Sequence, residues 1–165
     1  AAREGGAINS CWGSSVTIED ALFEENRAGF DGGAIYSGAI WKAGQIPDHT
    51  RVDIQGPARF QGNWARQRGG ALSAENRCEV SVGGEAVFEA NIAEDSGGAL
   101  SLLKSVVVHI TGSPRIINNV AVDNGGGIAI SRRDYDNGGR GYLDISQMWV
   151  EGGLVLEGNW ARKGG

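Results

Sequence analysis

An asparagine set three places after an apolar residue and six places before a glycine pair recurs along this chain. The copies read FEENRAGFDGGAI from Phe23, FQGNWARQRGGAL from Phe60, FEANIAEDSGGAL from Phe88 and INNVAVDNGGGI from Ile117, the last with Ile116 in the aromatic's place; LEGNWARKGG from Leu156 is a fifth copy. The asparagines are Asn26, Asn63, Asn91, Asn119 and Asn159, and the residue two places on is always alanine: Ala28, Ala65, Ala93, Ala121 and Ala161. The leading glycines Gly5, Gly32, Gly69, Gly97 and Gly125 step by 27, 37, 28 and 28, so the unit is about 28 residues with occasional insertions. Self-similarity at such a period points to a solenoid, in which each unit buries its apolar face only by stacking on the next.

The rest of each unit says what is stacked. Eleven places after the glycine, Val16 to Ile18, Val80 to Val82 and Val108 to Ile110 alternate apolar with other residues, the pattern of a half-buried strand. A further apolar position follows at Phe23, Phe60, Phe88 and Ile116. Each unit thus reads as three short strands separated by turns, and the chain as a parallel β-helix with one coil per repeat. Helical repeats would need a 3.6-residue apolar period longer than any present, and the Leu-x-x-Leu-x-Leu spacing of leucine-rich repeats is missing. At about 4.8 Å per coil, six partial coils make a rod of about 25 Å.

Composition agrees with that architecture and removes several functions. Glycine is frequent (28) and proline scarce (3), with no collagen period; glycine serves a β-helix at left-handed corners and where coils approach closely. A net charge of −5 without a basic stripe argues against a nucleic-acid partner. No apolar run has the length of a membrane span, and no secretory signal opens the chain. The chain opens and closes in mid-repeat, as expected of a segment of a larger protein. Cys11 and Cys78 fall in the same turn region two coils apart, beyond the usual reach of a disulfide, and are expected to be free. No Asn-x-Ser/Thr sequon is present.

The pairing of Phe-x-x-Asn with Gly-Gly-Ala-(Ile/Leu) resembles the repeats of chlamydial polymorphic outer membrane proteins and of related microbial surface proteins. Phe23, Phe60 and Phe88 stand in full matches; Ile116 and Leu156 replace the aromatic, and Gly127 replaces the alanine in the last complete unit. The resemblance implies a right-handed parallel β-helix displayed at the cell surface or outside the cell, serving adhesion or surface structure. The runner-up is a polysaccharide-binding or polysaccharide-cleaving β-helix of the pectate-lyase kind, which would carry acids, a cation and a basic residue in one groove.

The residues divide accordingly. Asn26, Asn63, Asn91, Asn119 and Asn159 are expected to form a stacked amide ladder inside a corner. Phe60 and Phe88 belong to the core, and the alanines mark tight contacts between coils. His109, between Val108 and Ile110, should face outward. Trp64 and Trp160, each just after its asparagine, are either outward platforms or packing residues. Asp95 and Asp123 share one offset in adjacent coils, so their carboxylates should stand near each other. A bound cation, with Ca²⁺ the weak candidate, or screening by Arg66 or Arg68 would relieve the repulsion. No cofactor is otherwise implied, and no metal-ligand His pair, Cys-x-x-Cys, nucleophile elbow or phosphate loop occurs; catalysis is not expected.

Interruptions of the repeat carry the functional expectation. In the second coil the strand at Val52 to Ile54 arrives nine residues late. In the fifth, with Met148 to Val150 as the corresponding strand, twelve extra residues enter at the same corner, and an extra strand is expected at Tyr142 to Ile145. Solenoids tend to bind through per-repeat insertions on one face. The second coil offers Tyr36, Trp41, Lys42, Asp48 and His49; the fifth offers Arg132, Arg133, Asp134, Tyr135, Asp136, Arg140 and Tyr142. Aromatics beside arginine suit a protein or glycan ligand. Open strand edges at the two ends suggest neighbouring modules or copies as further partners, stacking into a filament.

Overall fold

The computed structural model describes residues 3–38, 49–131 and 146–163. These residues form strands and turns with no helix, so the all-β expectation holds. The first coil runs through β1 (Ile8–Cys11), β2 (Ser15–Glu19), β3 (Leu22–Glu24) and β4 (Arg27–Ala28). The second holds β5 (Ile35–Gly38), β6 (Thr50–Gln55), β7 (Arg59–Gln61) and β8 (Trp64–Ala65), and the third β9 (Leu72–Glu75), β10 (Cys78–Val82), β11 (Val87–Glu89) and β12 (Ile92–Ala93). The fourth holds β13 (Leu100–Leu103), β14 (Val107–Gly112), β15 (Arg115–Ile117) and β16 (Val120–Asn124), and the fifth β17 (Ile128–Ser131), β18 (Gln147–Gly152), β19 (Val155–Glu157) and β20 (Trp160–Lys163).

Like pairs with like. The four strand positions build four sheets of five strands each, and every pairing is parallel. The first sheet gathers β1, β5, β9, β13 and β17, and the other three follow in the same order around the coil. This is a parallel β-helix with four strands per coil, not the three expected. The fourth strand is the Asn-x-Ala segment, two residues long in the first three coils. Two residues are too few to show an alternation, so the sequence pattern hides them. A left-handed residue at the place before each asparagine (Glu25, Gly62, Ala90, Asn118, Gly158) turns the chain out of the third sheet and makes the fourth a separate face.

Register follows the repeat. Val16, Val52, Val80, Val108 and Met148 form one inward column, and Ile18, Ile54, Val82, Ile110 and Val150 the next. Phe23, Phe60, Phe88, Ile116 and Leu156 form a third. The phenyl rings of Phe23, Phe60 and Phe88 lie flat on one another, with centroids 4.7 and 4.6 Å apart and planes within 4°. That spacing is the distance between parallel strands, about 4.8 Å, so ring stacking and backbone pairing reinforce each other. Phe60 and Phe88 are fully buried in one continuous core.

The two glycines of each pair are required for different reasons. Gly69 has φ +65, a left-handed conformation that a side chain disfavours, and a Cβ there would meet Leu72 C at 2.6 Å. Gly70 lies against the neighbouring coil: a Cβ on it would come within 2.6 Å of Ile92 N and into the Gly98 carbonyl. One glycine shapes the corner, and the other lets the coils touch.

Candidate functional site

The asparagine corner is a directional hydrogen-bond chain. Asn63 N and Nδ2 both donate to Asn91 Oδ1, at 3.0 and 2.9 Å, and Nδ2 also donates back to Phe23 O at 2.9 Å. Asn91 repeats the pattern with Asn119 Oδ1 and Phe60 O, and Asn119 with Asn159 Oδ1 and Phe88 O. Asn26 joins through its N and Nδ2 to Asn63 Oδ1, and Asn159 Nδ2 reaches Ile116 O. Asn63, Asn91 and Asn119 have no solvent exposure. Their amides are held in the rod, with no polar group turned to a ligand. Ala28, Ala65, Ala93 and Ala121 are likewise fully buried.

The same ladder locates the insertions. Its rungs are 37, 28, 28 and 40 residues apart in sequence, yet the bonds keep the same length throughout. The surplus enters between β5 and β6 and between β17 and β18, where the first sheet passes to the second. Elsewhere this corner is very short. β9 ends at Glu75 and β10 begins at Cys78, and Asn76 and Arg77 between them are both left-handed; so are Lys104 and Ser105 one coil on.

Of the proposed loop residues, His49 is exposed immediately before β6. Trp41, Lys42, Asp48, Arg132, Arg133, Asp134, Tyr135, Asp136, Arg140 and Tyr142 lie outside the described residues, as does the extra strand expected at 142–145. Tyr36 is a correction: it is not an exposed loop aromatic. It belongs to β5, in register with Asn9 and Ser73, and is 4% exposed. Its ring lies over Gly38, where a Cβ would meet Tyr36 Cζ at 2.8 Å, and its hydroxyl donates to Glu75 Oε1. Burial and the Glu75 carboxylate push the phenol well above its ordinary range, which keeps the donating proton in place.

Charged groups cluster at the corner between the fourth and first sheets. Arg68 Nε and Nη2 grip the Asp31 carboxylate at 3.1 and 2.8 Å, and both residues are almost fully buried. Burial pushes the Asp31 carboxyl up, against the pull of the guanidinium. Sequence reasoning passed over this pair, although the two residues share one offset after Asn26 and Asn63 and carry opposite charge.

Asp95 and Asp123 do stand in adjacent coils, with Asp123 N donating to Asp95 O at 2.8 Å. Asp123 is held by Arg162 at 2.8 Å and Lys163 at 3.1 Å, and Asp95 accepts from Ser96 Oγ at 2.9 Å. Arg162 and Lys163 therefore pair with Asp123, while Arg68 is gripped by Asp31 and also feels the charge of Asp95. Among the described residues no group of three or more His, Cys, Asp or Glu is placed to hold a metal ion.

The remaining candidates are scattered over other faces. His109 is exposed on the second sheet and stacks on Trp149, with centroids 5.0 Å apart. Trp160 is 57% exposed and Trp64 half-buried; they are in register on the outer side of the fourth sheet, with Ile92 and Val120 between them. Both cysteines are free thiols. Cys78 is buried beneath Ser37 and Glu75 O, and burial pushes its thiol up to about 11.

Comparison with known proteins bears on the repeat. Neither a curated protein nor a solved structure matches the chain. Residues 20–40, which span the first Phe-x-x-Asn motif, its Gly-Gly-Ala-Ile and β5, match the Chlamydia polymorphic membrane protein (Chlamydia_PMP) repeat.

Proposed function

We propose that this chain is a non-catalytic structural and interaction segment of an extracellular or cell-surface β-helix protein, a scaffold that carries binding loops at one corner. The repeat match, to a family of membrane proteins, supports surface display. The main observation behind the reading is that the ladder bonds keep one length across steps of 28, 37 and 40 residues. A rod that absorbs nine or twelve extra residues without altering its rungs is suited to presenting sequence that varies independently of the fold.

The test is adhesion by the rod with and without its insertions. Beads coated with the chain are expected to adhere to cultured epithelial cells. Replacing the two insertions by the two-residue connection Asn76-Arg77 should leave the circular dichroism spectrum intact and abolish adherence. Equal adherence by the trimmed rod, or none by the intact one, counts against the reading.

A further inference from the structure

Two arginines of the third sheet have no acid beside them. In the second sheet Arg51 stands in register with Glu79, and the two pair at 2.6 Å. In the third sheet the register neighbours of Arg59 are Leu22 and Val87, and those of Arg115 are Val87 and Val155. Among the described residues the arginines in ion pairs are Arg51, Arg68 and Arg162, and Arg59 and Arg115 are in none. An acid at position 87 would complete both pairs; valine leaves both open. The two side chains are exposed and line one groove of about 350 Å³. That volume is at the lower end of the range of small-ligand sites. The groove crosses three coils: Pro57 and Arg59 in the second, Glu85 and Val87 in the third, Ser113 and Arg115 in the fourth.

Geometry and charge narrow what fits. Arg59 and Arg115 lie on either side of Val87, two inter-strand spacings or roughly 9–10 Å apart at the backbone. Their long side chains can close from both ends on a group set over Val87. A planar carboxylate fills one guanidinium fork with both its oxygens, whereas a tetrahedral sulfate or phosphate has oxygens left to face a second. Ser113 adds a hydroxyl donor on the fourth-coil side. Glu85 also lines the groove, so two guanidiniums stand against one carboxylate and leave the lining positive. Glu89 flanks Val87 along the strand, outside the groove.

We infer that this groove holds one tetrahedral oxyanion, a sulfate or phosphate group, gripped by Arg59 from one coil and by Arg115 from two coils on, with the Ser113 hydroxyl as a further donor. The shared chemistry is the oxyanion; whether it is a free ion or a substituent on a polymer is separated by the test. The inference goes beyond the scaffold reading and does not rest on it.

Inorganic sulfate, inorganic phosphate and acetate are titrated into the ¹⁵N-labelled chain at constant ionic strength, and dextran sulfate is compared with unsubstituted dextran. Sulfate or phosphate should shift the amides of Arg59, Glu85, Val87, Ser113 and Arg115 and saturate at millimolar concentration, with acetate weaker by about fivefold or more. Arg59→Gln and Arg115→Gln should each weaken the binding by about fivefold or more, and Glu85→Gln should strengthen it. Arg66→Gln, just after β8, should leave it unchanged. Amides away from the groove that keep their positions show that each variant is folded. Tighter binding of dextran sulfate than of inorganic sulfate, per sulfate group, identifies a polymer-borne group, and equal or weaker binding a free ion; both support the assignment. No saturable shift with sulfate, phosphate or dextran sulfate at tens of millimolar overturns it. So does acetate that binds as tightly as sulfate, or a loss in Arg66→Gln equal to that in Arg59→Gln.

Discussion

Replacing Asn91 by alanine tests the ladder where it is fully enclosed. Asn91 Oδ1 accepts from Asn63 N and Asn63 Nδ2, and Asn91 Nδ2 donates to Phe60 O and Asn119 Oδ1, all within 2.9 to 3.0 Å. In Asn91→Ala the Asn63 N–H and one of the two Asn63 Nδ2 hydrogens lose their partner, Nδ2 keeping Phe23 O, and the Phe60 carbonyl loses its side-chain donor. Asn119 Oδ1 keeps the Asn91 backbone N–H. The corner is closed to water, since Asn63, Asn91 and Asn119 are fully buried. Each buried group left unpaired costs about 1–3 kcal/mol, so the loss should be about 5 kcal/mol, a large share of the roughly 5–15 kcal/mol that stabilises a typical domain. Asn26→Ala supplies the internal control. Its side chain makes one ladder bond, Nδ2 to Asn63 Oδ1, and that oxygen keeps the Asn26 backbone N–H, so the loss there should be about 1 kcal/mol. Urea unfolding followed by circular dichroism measures both, and unchanged m-values show that the same unit is unfolding. Equal losses at the two positions, or a loss below about 2 kcal/mol at Asn91, would refute the idea that the buried rungs are coupled through their shared bonds.

Other positions give independent checks. Gly70→Ala drives a Cβ into the next coil's backbone and should cost more than about 4 kcal/mol in the same assay, whereas Gly62→Ala, whose Cβ meets nothing nearer than Glu25 Cγ at 3.8 Å, should cost only about 1 kcal/mol for its φ of +62. Ala90 has a φ of +53 at the equivalent position, so Ala90→Gly is expected to be neutral or to stabilise by up to about 1 kcal/mol; a clear destabilisation would contradict the assigned strain. At pH 8 a thiol reagent should modify half-exposed Cys11 and leave Cys78, whose pKa is near 11, until denaturant is added; equal rates in the folded chain would argue against the buried position. Hydrogen bonds from Arg162 and then Lys163 hold the Asp123 carboxyl below its ordinary value. Whatever that exposed pairing contributes is present above the ordinary aspartate range and lost as pH falls through the lowered value. A carboxyl NMR titration should show the depression shrinking as salt is added.

The sequence carried the solenoid because the features that define it repeat at fixed offsets. Asn63, Asn91 and Asn119 stand at one place in each coil, and the structure joins them rung by rung. The fourth sheet was illegible for a local reason: Trp64-Ala65 and Ile92-Ala93 are too short for a period to show. Tyr36 is illegible as a strand residue because counting from the glycine pair does not show where β5 ends and the insertion begins. The Asp31–Arg68 pair stayed hidden for the opposite reason: it occurs once, so a search for recurrence passes over it. Recurrence reveals what every coil needs, and departures from it must be read in three dimensions.

Why the insertions use one corner follows from comparing the corners. At the asparagine corner the enclosed rungs Asn63, Asn91 and Asn119 bond to the coils on either side, and at the glycine corner Gly70 touches the backbone of the next coil. The corner between the first and second sheets makes a different demand: two successive left-handed residues, Asn76-Arg77 and Lys104-Ser105, neither a glycine. A longer connection relieves that strain and disturbs no ladder bond. An insertion of about ten Gly/Ser residues between Asn76 and Arg77 should therefore cost only about 1–2 kcal/mol in loop closure. The same insertion between Ala90 and Asn91 breaks the register of the enclosed rungs and should abolish cooperative unfolding. Urea melts of the two insertion variants decide the matter. If both are tolerated equally, the corner is not what selects the site of insertion, and the rod has no built-in place for its loops.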